Sequence, residues 1–294
     1  GIIVNTNVSN SEITIKNNFV WNVRATAKSF PGTWGVGIGI DGSTGGVNVY
    51  HNSVNMYGTL ASDSAGVNTA FGVLSPDASA LDVRNNIFVN KFYNTISSLE
   101  KSYAINSQAP GTALSNINFN DYYVEGPVGI LGFLGGDNNT LTEWQTATGQ
   151  DANSLSGSPG FISSIDLHIN PDSNFVSNNG FYLASVPTDF DENVRNNPPD
   201  IGADEYTAAS SSFQLLINVN NGWNMVSTPG LHPADQNVTT WWSGKDPSAG
   251  VFRFSGGYLP VTTTTPGQGY WMKHIGANTY NTGDEYPAGG IIPV

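Results

Sequence analysis

The sequence contains no cysteine, which excludes disulfide bonds, thiolate metal sites and cysteine nucleophiles. Charge is also scarce. Of 294 residues only 11% are charged, against roughly 25% in ordinary soluble domains. Ten are Lys or Arg, and the net charge is −13. A nucleic-acid surface needs a basic footprint, so nucleic acid is not expected as a partner. An anionic membrane would repel the chain, and no run of 18 apolar residues is present to insert into one. No leader-type segment is recognisable at the start. Gly1-Ile2-Ile3-Val4 and Gly290-Ile291-Ile292-Pro293-Val294 are both strand-like, so both ends are expected to be cuts through a larger protein.

What the chain does have is turn formers and rings. It carries 34 Gly, 7 Trp, 12 Tyr and 14 Phe among many Asn, Ser and Thr. The rings supply core material that a disordered chain lacks. Together with the turn formers they favour an all-β fold. The acidic, weakly charged surface suits neutral partners, glycans or bound cations.

Four blocks repeat: Ile13–Val20, Val47–Val54, Leu81–Phe88 and Ile117–Val124, with starts 34, 34 and 36 residues apart. Their first and third positions are apolar, a polar pair follows as a turn, and a second strand resumes after it. Val36–Ile40, Phe71–Leu74 and Tyr103–Ile105 add a further strand per repeat. Three short strands per repeat is the pattern of a parallel β-helix. Asn18, Asn52 and Asn86 share one register, where stacked coils lie about 4.8 Å apart. They are expected to form a side-chain ladder that satisfies buried polar groups. The competing explanation is that Asn is simply a common turn residue. The fourth block has Tyr122 at that register, so the ladder should stop there. Segments 24–33, 58–68 and 92–101 are the long loops, where a solenoid usually carries its binding face. Thr140 and Glu143 have capping-box spacing and Gly149 suits a helix stop, so one helix is expected to cover the strand edges at this end.

Leu141-Thr142-Glu143-Trp144-Gln145 is followed by Asp151, Ser154, Pro159-Gly160-Phe161, Asp166-Leu167-His168, Asp189-Phe190-Asp191, Arg195 and Pro199-Asp200-Ile201-Gly202-Ala203-Asp204-Glu205-Tyr206. This series resembles the closing segment of bacterial right-handed β-helix proteins of the pectate-lyase-like superfamily. It is similar in particular to large exported proteins of the Bacteroidota and Ignavibacteria group. The resemblance covers residues 1 to about 207. It implies the fold strongly and the activity weakly, because the superfamily includes lyases, hydrolases, epimerases, adhesins and structural proteins.

Residues 208–212 read as a small polar linker, and 213–294 as a β-sandwich built from short strands and aromatics. Its Gly222-Trp223-Asn224 and Gly269-Tyr270-Trp271 motifs resemble modules found ahead of type IX secretion sorting signals in the same bacteria. The sorting signal itself would lie beyond Val294.

Candidate chemistry falls into three groups. Lys16, Tyr50, His51 and Arg84 occupy neighbouring registers, and Lys16 or Arg84 could act as the base of a β-elimination lyase. Only Asp82 and Asp121 are nearby acids, so solvated turn decoration competes with that reading. Asp189, Asp191, Glu192, Asp200, Asp204 and Glu205 are opposed only by Arg195. Asp189, Asp191, Asp200 and Asp204 are the calcium candidates, although the glycine-paced loop of a defined calcium motif is missing and structural tying competes. The aromatic pairs Trp241-Trp242 and Tyr270-Trp271 could stack on sugars or fill a core. The four His residues share no metal-ligand spacing.

The reading drawn from the sequence is an all-β protein: a right-handed parallel β-helix with a short capping helix, then a small β-sandwich. Its expected role is a non-enzymatic structural or adhesive module, extracellular or at the bacterial cell surface. Expected partners are copies of itself in a filament or matrix, other surface proteins, or polysaccharide. The alternatives are a polysaccharide lyase or glycoside hydrolase, or a carbohydrate-binding module. Calcium is the one cofactor considered.

Overall fold

The computed structural model describes residues 1–24, 34–60, 66–95, 100–206, 216–228 and 230–280. The chain divides into two compact units, Gly1–Ala208 and Ala209–Val294. The candidate linker 208–212 and most of the candidate binding loops lie outside the described residues.

The first unit is a β-solenoid. Its coils are β1 (Ile2–Val4), β2 (Ile13–Lys16) and β3 (Phe19–Trp21); β4 (Trp34–Ile40), β5 (Gly45–Tyr50) and β6 (Ser53–Leu60); β7 (Val67–Val73), β8 (Ser79–Arg84) and β9 (Ile87–Asn94); and β10 (Lys101–Ser107), β11 (Leu114–Asn118) and β12 (Asp121–Val124). β13 (Gly129–Leu134) and β14 (Asp137–Asn138) follow. Like strands of successive coils pair in parallel, giving the sheets β1-β4-β7-β10-β13, β2-β5-β8-β11 and β3-β6-β9-β12, while β14 closes the first sheet antiparallel. Period-two alternation turns one apolar stripe of each sheet inward. Val49, Val83 and Ile117 stack in one sheet, Val54, Phe88 and Tyr122 in the next, and Ile38, Phe71 and Ile105 in the third, all buried. Each buried aliphatic side chain of this kind contributes roughly 1.5–3 kcal/mol.

The Asn ladder forms. Asn18 Nδ2 donates to Asn52 Oδ1 at 2.8 Å, and Asn52 Nδ2 to Asn86 Oδ1 at 2.9 Å. It does not stop at Asn86, whose Nδ2 donates to Asn120 Oδ1 at 3.0 Å. Asn120 N then donates to Ser154 Oγ, which ends the series. The fourth block is therefore in register two residues earlier than its pattern implied. Ile117 pairs with Val83 rather than Leu81, after a register shift between Leu114 and Asn116. A slip of two residues preserves apolar alternation, so the pattern alone does not detect it.

The helix α1 (Leu141–Thr148) has the expected capping box and ends at Gly149 in the left-handed region. Its Trp144 is fully buried against the solenoid core, and Trp144 Nε1 donates to Asp151 at 2.6 Å. Gly132 makes this possible, because a Cβ there would lie 2.5 Å from the indole.

Beyond α1 the chain runs back along one corner of the solenoid with almost no regular structure. It bonds to Asn120 and Tyr122 of the fourth coil through Leu155, and to Asn85 through Gly202. Ser53 binds it through Ala203, and Asn17 of the first coil through Thr188 and Asp189.

The second unit is a small sheet domain. It contains β15 (Ile217–Val219), β16 (Gly222–Ser227), the short helix α2 (Val238–Trp241), β17 (Val251–Phe254), β18 (Tyr258–Val261), β19 (Gly269–His274) and β20 (Asn278–Tyr280). β15 and β20 pair, and β16-β19-β17-β18 form an antiparallel sheet. Val219, Val226, Trp241, Trp242, Val251, Tyr270, Met272 and Tyr280 share one core.

Candidate binding cleft and the covered solenoid corner

The corner residue before each ladder Asn is left-handed: Asn17, His51, Asn85 and Phe119, with φ between 50° and 61°. This aims their side chains at the returning segment. His51 is fully buried, with Nδ1 3.2 Å from Gly202 O and Nε2 2.8 Å from Asn85 Nδ2. The network assigns the proton to Nδ1, which donates to the carbonyl. Burial, reinforced by the Arg195 charge, holds the imidazole well below its ordinary pKa and therefore neutral.

Arg84 makes a two-pronged contact with Asp82, with both distances 2.7 Å, and lies over the rings of Tyr50 and Phe181. Burial opposes its charge, but the bonds to Asp82 and Tyr50 outweigh it and raise its pKa. Arg84 thus stays protonated. Lys16 Nζ donates to Ser185 O at 3.0 Å. Tyr50, Asp82 and Arg84 are brought together as one bonded group. His51 is sealed beneath Gly202, and Asp121 is buried beside Leu155.

The acids also separate by role. Asp189 accepts the backbone N–H groups of Asp191, Asn193 and Glu205. Asp200 accepts those of Asn178 and Tyr206. Glu205 takes two further N–H groups and pairs with Arg195 at 3.3 Å. These carboxylates replace the ladder hydrogen bonds that an irregular segment cannot make for itself.

Asp191 and Asp204 instead converge on His168, and the ligand atoms of the three lie within 4.8 Å of one another. Nε2 of His168 is 2.7 Å from Asp191 Oδ2, and Nδ1 is 2.5 Å from Asp166 Oδ1. Burial opposes the charged imidazole, but the bonds to Asp166 and Asp191 and the field of Asp204 raise its pKa. Phe19 and Phe190 stand edge-on to the ring. Sequence reasoning passed over His168 because 23 residues separate it from Asp191. The available signal was the close spacing of Asp166 and His168, which lets the carboxylate reach the imidazole two residues on.

The second unit presents a different surface. In β19 the alternation sends Tyr270, Met272 and His274 into the core and Trp271 and Lys273 outward. The Tyr270-Trp271 pair is thereby split across two faces, while Trp241 and Trp242 are fully buried. Phe252 pairs in register with Trp271, as does Met225, so all three share the outward face. Two residues to one side of this row lies Trp223, and two residues to the other lie Phe254 and its register partner Tyr258. Trp223, Phe252, Tyr258 and Trp271 line a cleft of about 470 Å³. Trp223 is 55% exposed and Tyr258 61%. The Trp223 and Phe252 rings lie 6.2 Å apart at 52°. None of the four lining residues carries charge. Nearby Lys273 pairs with Asp246 at 3.6 Å. Set against known proteins, the chain matches no family model, no curated protein and no solved structure.

Proposed function

We propose that this chain is a non-enzymatic adhesive module of the bacterial cell surface or extracellular matrix, which holds carbohydrate in the aromatic cleft of its second unit. The observation that carries the reading is the uncharged cleft lined by Trp223, Phe252, Tyr258 and Trp271. An outward apolar face on a small sheet is costly to leave in water and marks a contact surface. Its volume falls in the ordinary small-ligand range of roughly 300–1,000 Å³. Ring faces carry negative quadrupole density, which attracts the polarised C–H groups on the flat side of a pyranose. The uncharged lining suits a neutral sugar.

Export by a type IX route rests on the resemblance of the Gly-Trp-Asn and Gly-Tyr-Trp motifs. Assembly with other copies or surface proteins belongs to the same reading, with the solenoid as a rigid spacer. Polysaccharide cleavage has less support, because His51 is buried and neutral and Arg84 is held by Asp82.

The test is a glycan array probed with the whole chain, followed by calorimetry on any oligosaccharide retained. Trp223→Ala and Trp271→Ala should each weaken binding at least about tenfold, equivalent to 1.4 kcal/mol. Absence of glycan retention by the native chain, or binding by both variants as tight as that of the native chain, ends the carbohydrate reading.

A further inference from the structure

We infer that His168, Asp191 and Asp204 bind a divalent transition-metal ion, with zinc the best match. This site lies in the solenoid unit and does not depend on the carbohydrate reading. Three observations support it.

The first is convergence. One imidazole nitrogen and two carboxylates, from three separated parts of the returning segment, bring their ligand atoms within 4.8 Å of one another. Zinc holds such ligands at about 2.0–2.2 Å, and the exposed Asp191 has room to adjust its carboxylate to a shared ion. The second is orientation. Asp166 engages Nδ1 of His168 at 2.5 Å, leaving Nε2 toward Asp191 and Asp204. A carboxylate on the far nitrogen is the usual outer partner of a metal-bound His, fixing its tautomer and raising its basicity. Phe19 and Phe190 frame the same ring and restrict its rotation.

The third is a spare carboxylate oxygen. Asp204 is only 6% exposed, and Ile169 N donates to its Oδ2. Its Oδ1 receives no hydrogen bond among the described residues. The Arg195 guanidinium is already committed to Glu205, Asn17 and Gly202 O. A divalent cation would neutralise Asp191 and Asp204 together.

The donor set also discriminates between metals. Calcium prefers six to eight oxygen ligands, and Asp189 and Asp200 spend theirs on backbone N–H groups. Imidazole with two carboxylates suits zinc or a neighbouring first-row ion, with water completing the shell. The bound ion would fasten the returning segment at three points beside the first coil.

The experiment uses the whole chain, stripped with a chelator and titrated calorimetrically with zinc chloride alone. We expect a single ion per chain, a raised melting temperature, and no displacement by millimolar calcium. Asp191→Asn and His168→Gln should each lower zinc affinity by at least about 10–100-fold, the loss that removing an outer partner alone produces. Asp191 is exposed, so its variant should keep the native circular dichroism. Should either variant fail to fold, cobalt(II) added to the native chain gives an independent reading. A visible d–d spectrum of the low-coordinate nitrogen–oxygen type supports the site. Absence of zinc binding, unchanged affinity in both variants, or a purely octahedral cobalt spectrum would overturn it. His168 would then be an imidazolium clamped between Asp166 and Asp191.

Discussion

Asp121 offers a direct test of how the solenoid core treats a charge. The residue is fully buried at the start of β12, in register with Ile87. Its Oδ1 accepts Gly157 N at 3.2 Å, and its Oδ2 has no partner. Burial raises its pKa from 3.8 to about 8, opposed only by the Gly157 N–H. The folded chain therefore keeps this proton at neutral pH, whereas the unfolded chain releases it. Because the folded pKa lies above the unfolded one, the associated stability is fully present below pH 3.8 and is lost as pH rises toward 8. The slope is about 1.4 kcal/mol per pH unit, so the cost at pH 7 is about 4 kcal/mol. The substitution Asp121→Asn preserves the shape, keeps an oxygen for Gly157 N–H and takes up no proton. Its amide N–H groups lack acceptors, which costs roughly 1–3 kcal/mol. Asp121→Asn should therefore equal or fall below the native chain in stability at pH 4 and exceed it at pH 8. Urea or calorimetric unfolding at pH 4, 6 and 8 reads this directly, using the transition that moves on substitution. A constant offset between the two proteins across that range would refute the reasoning.

Other substitutions separate the ladder from the corner. Asn86→Ala removes the acceptor for Asn52 N and Nδ2 and the donor to Val49 O, Arg84 O and Asn120 Oδ1. It should cost roughly 3–4 kcal/mol in chemical denaturation, and Asn18→Ala, at the more open end, distinctly less. Asn85→Ala should instead loosen the returning segment, which it holds through both the N–H and the carbonyl of Phe181. Limited proteolysis should then cut within 156–206 while the solenoid resists. Gly202→Ala places a Cβ 2.5 Å from Ile87 Cδ1 at φ 101°, so it should lower the melting temperature and open the same segment. Equal protease resistance in Asn85→Ala and the native chain would contradict this division of labour.

The solenoid was legible because its signal repeats. Alternating apolar positions recur at 34-residue spacing, and the Asn at one register is the kind of residue a stacked turn needs. The capping box at Thr140 was legible for a local reason, since both its bonds span three residues. The fourth coil was misread by two residues because alternation is blind to an even slip, and the register shows in the pairing of Ile117 with Val83 and the bond from Asn86 to Asn120. The aromatic cleft was half legible. Tyr270 and Trp271 were noted as a pair, but only the register with Phe252 and Met225 shows which of them faces outward. The grouping of His168 with Asp191 and Asp204 was not legible, because an irregular segment has no period to relate residues so far apart.

The contrast between the ladder position and the position before it in each coil follows from who satisfies them. The ladder residue must bond to its own copies above and below and to the turn carbonyls, so the site accepts Asn in coil after coil. The residue before it has the left-handed backbone, and within the stack it makes no continuous ladder, the His51–Asn85 bond joining two coils alone. Its identity answers to the returning segment instead. Asn17 donates to the carbonyls of Thr188 and Asp189, His51 bonds to Gly202 O, and Asn85 takes both backbone groups of Phe181. Phe119 meets the Phe181 ring at 5.5 Å. Four side chains on one geometric row thus act as addresses that fix where an otherwise irregular segment lies. Such a segment has few ladder bonds of its own, so its register depends on those four matches. The same segment carries His168, Asp191 and Asp204, and the corner addresses therefore set the geometry in which the three ligands meet.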